Sequence, residues 1–228
     1  MTVPVLSIDG PSGVGKGTLA AWLAAHLGWH LLDSGALYRL TALAIQNQRV
    51  PLDDELAVAE AAAGLDVVFA PDAATGLQTV FLNQVDVTDA IRTETIGNAA
   101  SRVAALPTVR AALLDRQRAF RRSPGLVADG RDIGTVVFPD ALVKLFLTAS
   151  AGARAKRRYN QLMIKKNGAN LADIEREITE RDQRDANRAT APLRPAADAF
   201  TLDTTTLTID QVRERALELL TISLQSID

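Results

Sequence analysis

The 228-residue chain has no cysteine and only two histidines, His26 and His30. Thiol nucleophiles, disulfide staples, zinc ribbons and iron–sulfur clusters are thereby excluded, and two histidines are too few for a multi-histidine metal site. Aromatic residues make up only 4% of the chain, and no window approaches the ~18–20 consecutive apolar residues that span a bilayer. An excess of one charge is also missing. Twenty-five Lys plus Arg against 27 Asp plus Glu leave a net charge of −2, so the chain lacks the basic surplus of a non-specific nucleic-acid binder and any cationic work must be local. No cationic leader precedes the apolar stretch Val3-Pro4-Val5-Leu6. These features predict a soluble, cytoplasmic protein with no membrane or nucleic-acid polymer among its partners and no obligate protein partner.

What is present is an ordinary globular composition, 47% apolar and 23% charged, at a length that suits one α/β domain with small insertions. Residues 3–8 form a short apolar run stopped by Asp9-Gly10-Pro11, the pattern of a central strand buried on both faces. Leu19, Trp22, Leu23 and Leu27 then recur at helical spacing up to a stop at Gly28. Trp29 to Leu32 reads as a strand, and Asp33-Ser34-Gly35 as the cap of a helix carrying Leu37, Leu40, Ala44 and Ile45. Short apolar runs at 65–69, 80–82 and 85–87, with a turn region at Pro71 to Gly76, predict an inserted antiparallel meander over 65–87. Helices are expected at 94–104, 108–121, 151–159, from about Leu171 and from about Ile209, with strands at 125–129, 143–147 and 200–202. The alternation predicts a mostly parallel sheet covered by helices on both faces.

The most specific motif is Gly10-Pro11-Ser12-Gly13-Val14-Gly15-Lys16. Two glycines five residues apart, followed by lysine, fit a phosphate-binding loop whose bare backbone N–H groups wrap a polyphosphate while the lysine balances its charge. The position between a buried strand and a helix adds the positive end of the helix. The Ser or Thr that usually follows the lysine is replaced by Gly17, with Thr18 next.

The run Gly15-Lys16-Gly17-Thr18 resembles the nucleoside monophosphate kinases. The resemblance narrows with Ile8-Asp9-Gly10-Pro11-Ser12-Gly13, Asp33-Ser34-Gly35-Ala36-Leu37-Tyr38-Arg39, the segment Asp129 to Pro139, and Arg181-Asp182-Gln183-Arg184-Asp185-Ala186-Asn187-Arg188. Together, in this order over residues 5 to about 205, they resemble the bacterial cytidylate kinases. That resemblance implies a single P-loop kinase domain over 1–228, with an acceptor-side subdomain at 65–87 and a helical lid at 151–170. It implies phosphorylation of CMP and dCMP by ATP with Mg²⁺. Gly10 to Thr18 would hold ATP, with magnesium held through water and phosphates, and Asp129 would organise that water; a fold-supporting hydrogen bond at Asp129 is the bland alternative.

In such a transfer the attacking oxygen belongs to an already ionised phosphate, so no protein base is required. The site must supply positive charge instead. Lys16, Arg131, Arg157 and Arg158 are the expected catalytic cations, the last two chosen from the basic run that also holds Arg154 and Lys156. The resemblance makes Ser34, Arg39 and Arg131 acceptor-phosphate groups. It assigns Arg181 and Asp185 to the ribose, and Ser101, Arg110, Asp132 and Arg188 to the cytosine. Spacing alone places Arg181, Asp185 and Arg188 on one helical stripe with Leu171, Ile174 and Ile178, which also suits an intrahelical salt-bridge ladder. Asp132 also reads as a helix cap, Ser101 as a packed hydroxyl, and Arg39 as a solvated surface cation. Another kinase on this core, acting on UMP or a sugar, and a nucleotide sensor without turnover are the competing readings.

Overall fold

A computed structural model describes residues 2–71, 78–164 and 170–225. Five parallel strands, β1 (Val5–Asp9), β2 (His30–Asp33), β6 (Leu126–Gly130), β7 (Val143–Thr148) and β8 (Phe200–Asp203), lie in the order β2-β6-β1-β7-β8. β1 sits in the middle, paired Ile8 to Asp129 on β6 and Ile8 to Leu145 on β7. Its five residues are all buried, as expected of a strand covered on both faces. Alternate residues serve opposite faces. Val5, Leu126 and Ala128 join one core with α2 (Ser34–Gln48), α3 (Glu55–Ala63), α4 (Glu94–Val103) and α5 (Pro107–Arg118). Leu6, Ile8, Val127 and Leu145 join a second core with α1 (Lys16–Leu27) and α8 (Ile209–Gln225).

The helix ends follow the sequence chemistry. Gly28 closes α1 in the left-handed conformation, and the Asp33 carboxylate caps α2 by accepting the Ala36 N–H at 3.0 Å. Pro107 does not merely interrupt the helical pattern but opens α5 at its first turn, where its missing N–H costs nothing. A second sheet, antiparallel β3 (Val67–Pro71), β4 (Gln78–Leu82) and β5 (Val85–Asp86), is inserted between α3 and α4. It shares the first core through Val80 and Leu82. The turn region expected at Pro71 to Gly76 lies, from residue 72 on, outside the described residues.

Besides the short 3-10 turn Ala90–Arg92, two elements were not expected from the sequence. One is α3, an alanine-rich helix that buries only Val58 and Ala62. The other is the π-helical turn Ile133–Val137 after β6. α6 (Ala151–Ile164) is longer than expected, and α7 (Leu171–Ala186) begins on an Asn170 cap; residues 165–169 of the expected lid lie outside the described residues. Among the described residues no helix is long and apolar enough to cross a membrane.

Candidate active site

The carboxyl ends of β1, β6 and β7 open onto a cleft of about 580 Å³. Ser12 to Thr18 line one side. Gly10 is fixed by a close approach: a Cβ there would stand 2.2 Å from the Leu147 carbonyl oxygen. Gly17 faces Asp129, whose Oδ2 would lie 3.3 Å from an added Cβ, so a Ser or Thr at this position would crowd the carboxylate. The Lys16 ammonium donates to Pro11 O at 2.9 Å and folds back over the loop. Burial, with the nearby charge of Arg131, pulls Lys16 down to about 7. Burial and the charge of Asp33 push Asp129 up to about 7, against the pull of Lys16.

The same cleft is lined by Arg39 from α2, Arg181 from α7, and Arg157 and Arg158 from α6. Arg39 donates to Ile91 O at 2.8 Å and is half-buried in the cleft wall rather than free in solvent. Gly97 on α4 lets it meet Arg181: an added Cβ would lie 3.2 Å from Arg39 Nη1 and 3.3 Å from Arg181 Nη1. Arg181 Nε is buried without a hydrogen-bond partner, and burial beside Arg131 and Arg39 lowers Arg181 to about 9. Two guanidinium groups held together against their own repulsion mark a place for an anion. Arg157 donates to the Thr204 hydroxyl at 3.2 Å and to the Thr204 carbonyl, and Arg158 pairs with Glu94.

The remaining expected acceptor residues lie beside this cleft in a buried network. Arg131 Nε donates to Asp185 Oδ2 at 2.8 Å, and Ser101 Oγ donates to Asp185 Oδ1 at 3.2 Å. Burial alone would raise Asp185, but Arg131, Arg188 and Arg181 outweigh it and hold the carboxyl below its usual range. Arg110 pairs with Asp132, both buried, and its guanidinium lies 5.6 Å from the Tyr38 ring centroid. Ser34 Oγ donates to Gln117 Oε1 at 2.6 Å, a partner that no sequence motif singles out.

Several expectations change. Arg188 lies beyond the end of α7, so it does not share a helical stripe with Arg181 and Asp185. Its Nε donates to the Asp185 carbonyl at 3.3 Å while its Nη2 is buried without a partner. The intrahelical ladder is not formed, because Asp185 turns to Arg131 across the fold. Leu171 is 44% exposed rather than inward, leaving Ile174 and Ile178 to make the contact with α6. Asp132 makes no side-chain cap to the turn that follows it.

Asp9 was missed as a site residue. Its carboxylate accepts the N–H groups of Ile133 at 2.9 Å and Gly134 at 2.8 Å, tying the strand that feeds the phosphate loop to the segment carrying Arg131 and Asp132. Burial raises Asp9 to about 6. Among the basic residues of α6 that the sequence singles out, Arg154, not expected to be catalytic, is the most buried.

A parallel sheet with a glycine loop at the end of its central strand, a lysine in that loop and arginines opposite define a P-loop kinase. A gluconokinase from Sinorhizobium meliloti 1021 shares the fold, with TM-score 0.51 and 13% identity over 98% of this chain and 95% of its own. The family model described as cytidylate kinase matches residues 6–222, and the chain belongs to the cytidylate kinase family. A cytidylate kinase of Stutzerimonas stutzeri is 59% identical over 94% of both chains, and one of Edwardsiella ictaluri is 60% identical over 94% of this chain and 95% of its own. The chain is therefore a phosphotransferase with ATP as its phosphoryl donor.

Proposed function

We propose that the cleft carries the γ-phosphoryl group of ATP to the phosphate of CMP or dCMP, giving ADP and CDP or dCDP. The chain phosphorylates CMP with ATP, the activity of its family. The observation that carries the assignment of residues is the single cleft with the phosphate loop on one wall and Arg39 with Arg181 on the other. Lys16 and the loop amides hold the donor polyphosphate. Arg39, Arg181 and Arg131 draw in the acceptor phosphate, so that two anions approach without mutual repulsion. Ser34 completes the acceptor-phosphate set once it leaves Gln117. Asp185 takes the ribose with Arg181, and Ser101, Arg110, Asp132 and Arg188 take the cytosine. A group with an exocyclic amine donor and two acceptors matches a carboxylate with arginines.

Mg²⁺ fits the donors present. Asp129 stands beside Gly17 at the head of α1, a single carboxylate next to the phosphate loop. A cation sharing few protein ligands and many water and phosphate oxygens is magnesium's habit. Asp129 would hold it through water, and the ion would neutralise charge on the phosphates. A cytoplasmic location follows from this substrate pair.

A turnover panel of CMP, dCMP, UMP, AMP and GMP with ATP tests the reading: activity with the two cytidylates should exceed the others, and equal use of UMP would overturn the base assignment. Residues 65–87 form the acceptor-side subdomain and 151–170 the lid in this proposal. Arg157 and Arg158 enter the reaction when α6 closes. Hydrogen exchange over Ala151–Ile164 should slow with ATP and CMP analogues together and not with either alone; unchanged exchange would retire the lid.

A further inference from the structure

Arg154 lies in the first turns of α6, is only 4% exposed, and makes contacts that neither the cleft nor the acceptor network uses. Its Nε donates to Ala149 O at 3.0 Å. Its Nη1 donates to Ser12 O in the phosphate loop at 3.1 Å and to Asp182 Oδ1 on α7 at 3.1 Å, and its Nη2 donates to Asp182 Oδ2. Its aliphatic stem packs under Gly13, whose added Cβ would stand 3.2 Å from Arg154 Cβ. A forked guanidinium thus joins the loop, the end of β7 and α7, a combination that a lysine, as a point charge, cannot reproduce.

The peptide plane gives this contact a consequence. In a trans peptide the carbonyl of one residue and the N–H of the next point in opposite directions. With the Ser12 carbonyl held on Arg154, the Gly13 N–H must point away from that guanidinium. Gly13 has φ +78°, in the region where glycine meets no Cβ penalty, so without an anchor this peptide is free to rotate. We propose that Arg154, clamped by Asp182, is a positioning residue that holds the Ser12–Gly13 peptide with its N–H presented to the donor phosphates. This proposal rests on the phosphate-loop reading above and makes the first turn of α6 the end of the lid that is anchored to the loop. Asp182 acts through Arg154, whose fork engages both of its carboxylate oxygens.

The test uses protein labelled with ¹⁵N-glycine, titrated with the non-hydrolysable ATP analogue AMP-PNP, alongside ATP and CMP KM values for Asp182→Asn and Arg154→Lys. In the unaltered protein the Gly13 and Gly15 amides should both shift on binding. In Asp182→Asn the Gly13 shift should be lost while Gly15 still responds, and the KM for ATP should rise about tenfold, the effect of one charge-assisted hydrogen bond, with the KM for CMP within twofold. The double variant should be no worse than Arg154→Lys alone. If Gly15 shifts and Gly13 does not in the unaltered protein, or if both amides shift normally in folded Asp182→Asn, the role of Arg154 is wrong while the phosphate loop stands. If neither amide responds, the phosphate-loop reading has failed and this inference with it. Asp182→Asn is the milder change because Asp182 is 27% exposed in its side chain. Should it lose its fold, Arg154→Lys carries the same amide readout.

Discussion

A Lys16→Ala enzyme should keep its fold and lose about 10²–10³-fold in kcat, the usual cost of deleting one group aimed at charge that develops in the transition state. Lys16 contributes little to the stability of the resting protein. Its neighbours include Arg131 and Arg181, and burial brings its pKa to about 7 from 10.5. A base whose folded pKa lies below its unfolded one costs stability below pH 7, and that cost is relieved as pH rises from about 7 towards 10.5. Alanine removes the cost along with the charge, so the variant's melting temperature should not fall. The same shift gives a second readout. A polyphosphate beside Lys16 raises its pKa again, so ATP-analogue binding at pH 8 should take up protons, and that uptake should be missing in Lys16→Met. Calorimetry in buffers of different ionisation enthalpy measures it. Near-normal kcat in a folded Lys16→Ala variant would refute the assignment of the loop.

The glycine loop was legible because its chemistry leaves few substitutes. Gly10 has no room for a Cβ against Leu147, and the loop's spacing is a direct image of that backbone path. The strands were equally plain, since β1, β6 and β7 are short apolar runs buried on both faces. The α3 helix left no stripe, because alanines fit any face and only Val58 and Ala62 are buried. Pairings between distant segments were hidden for a different reason. Arg131 with Asp185, and Arg154 with Asp182 and Ser12, join residues from separate elements, and charge alone does not choose among many partners. Periodicity even misled at Arg188, where the helix ends at Ala186 and the stripe stops with it. Sequence spacing located the helix face, and only the fold showed what stood opposite.

Asp132 should decide which base is accepted. In the free protein its carboxylate is buried and paired with Arg110, which in turn donates to Ala104 O at 3.3 Å and lies against Tyr38. The Arg110 fork fixes where the carboxylate sits, leaving it able to accept from the exocyclic amine of cytosine, with Arg188 Nη2 beside it still lacking a partner. Uracil offers a carbonyl at that place, so two acceptors would meet in a pocket with little water, at a cost of ~1–3 kcal/mol, or tenfold to more than a hundredfold in relative kcat/KM. Asp132→Asn keeps an oxygen for Arg110 and can turn its NH₂ towards an acceptor. The preference for CMP over UMP should shrink by a comparable factor, chiefly through poorer use of CMP. The KM for ATP should stay near that of the unaltered enzyme, because Asp132 does not line the phosphate loop. Removing the charge from a buried pair also costs stability, up to ~3–5 kcal/mol where the partner is left bare, so the melting temperature should fall and the assays belong well below it. An Asp132→Asn enzyme that keeps the full CMP preference, or that fails equally with both acceptors through a raised ATP KM, would place Asp132 in the scaffold and leave base selection to Ser101 and Arg188.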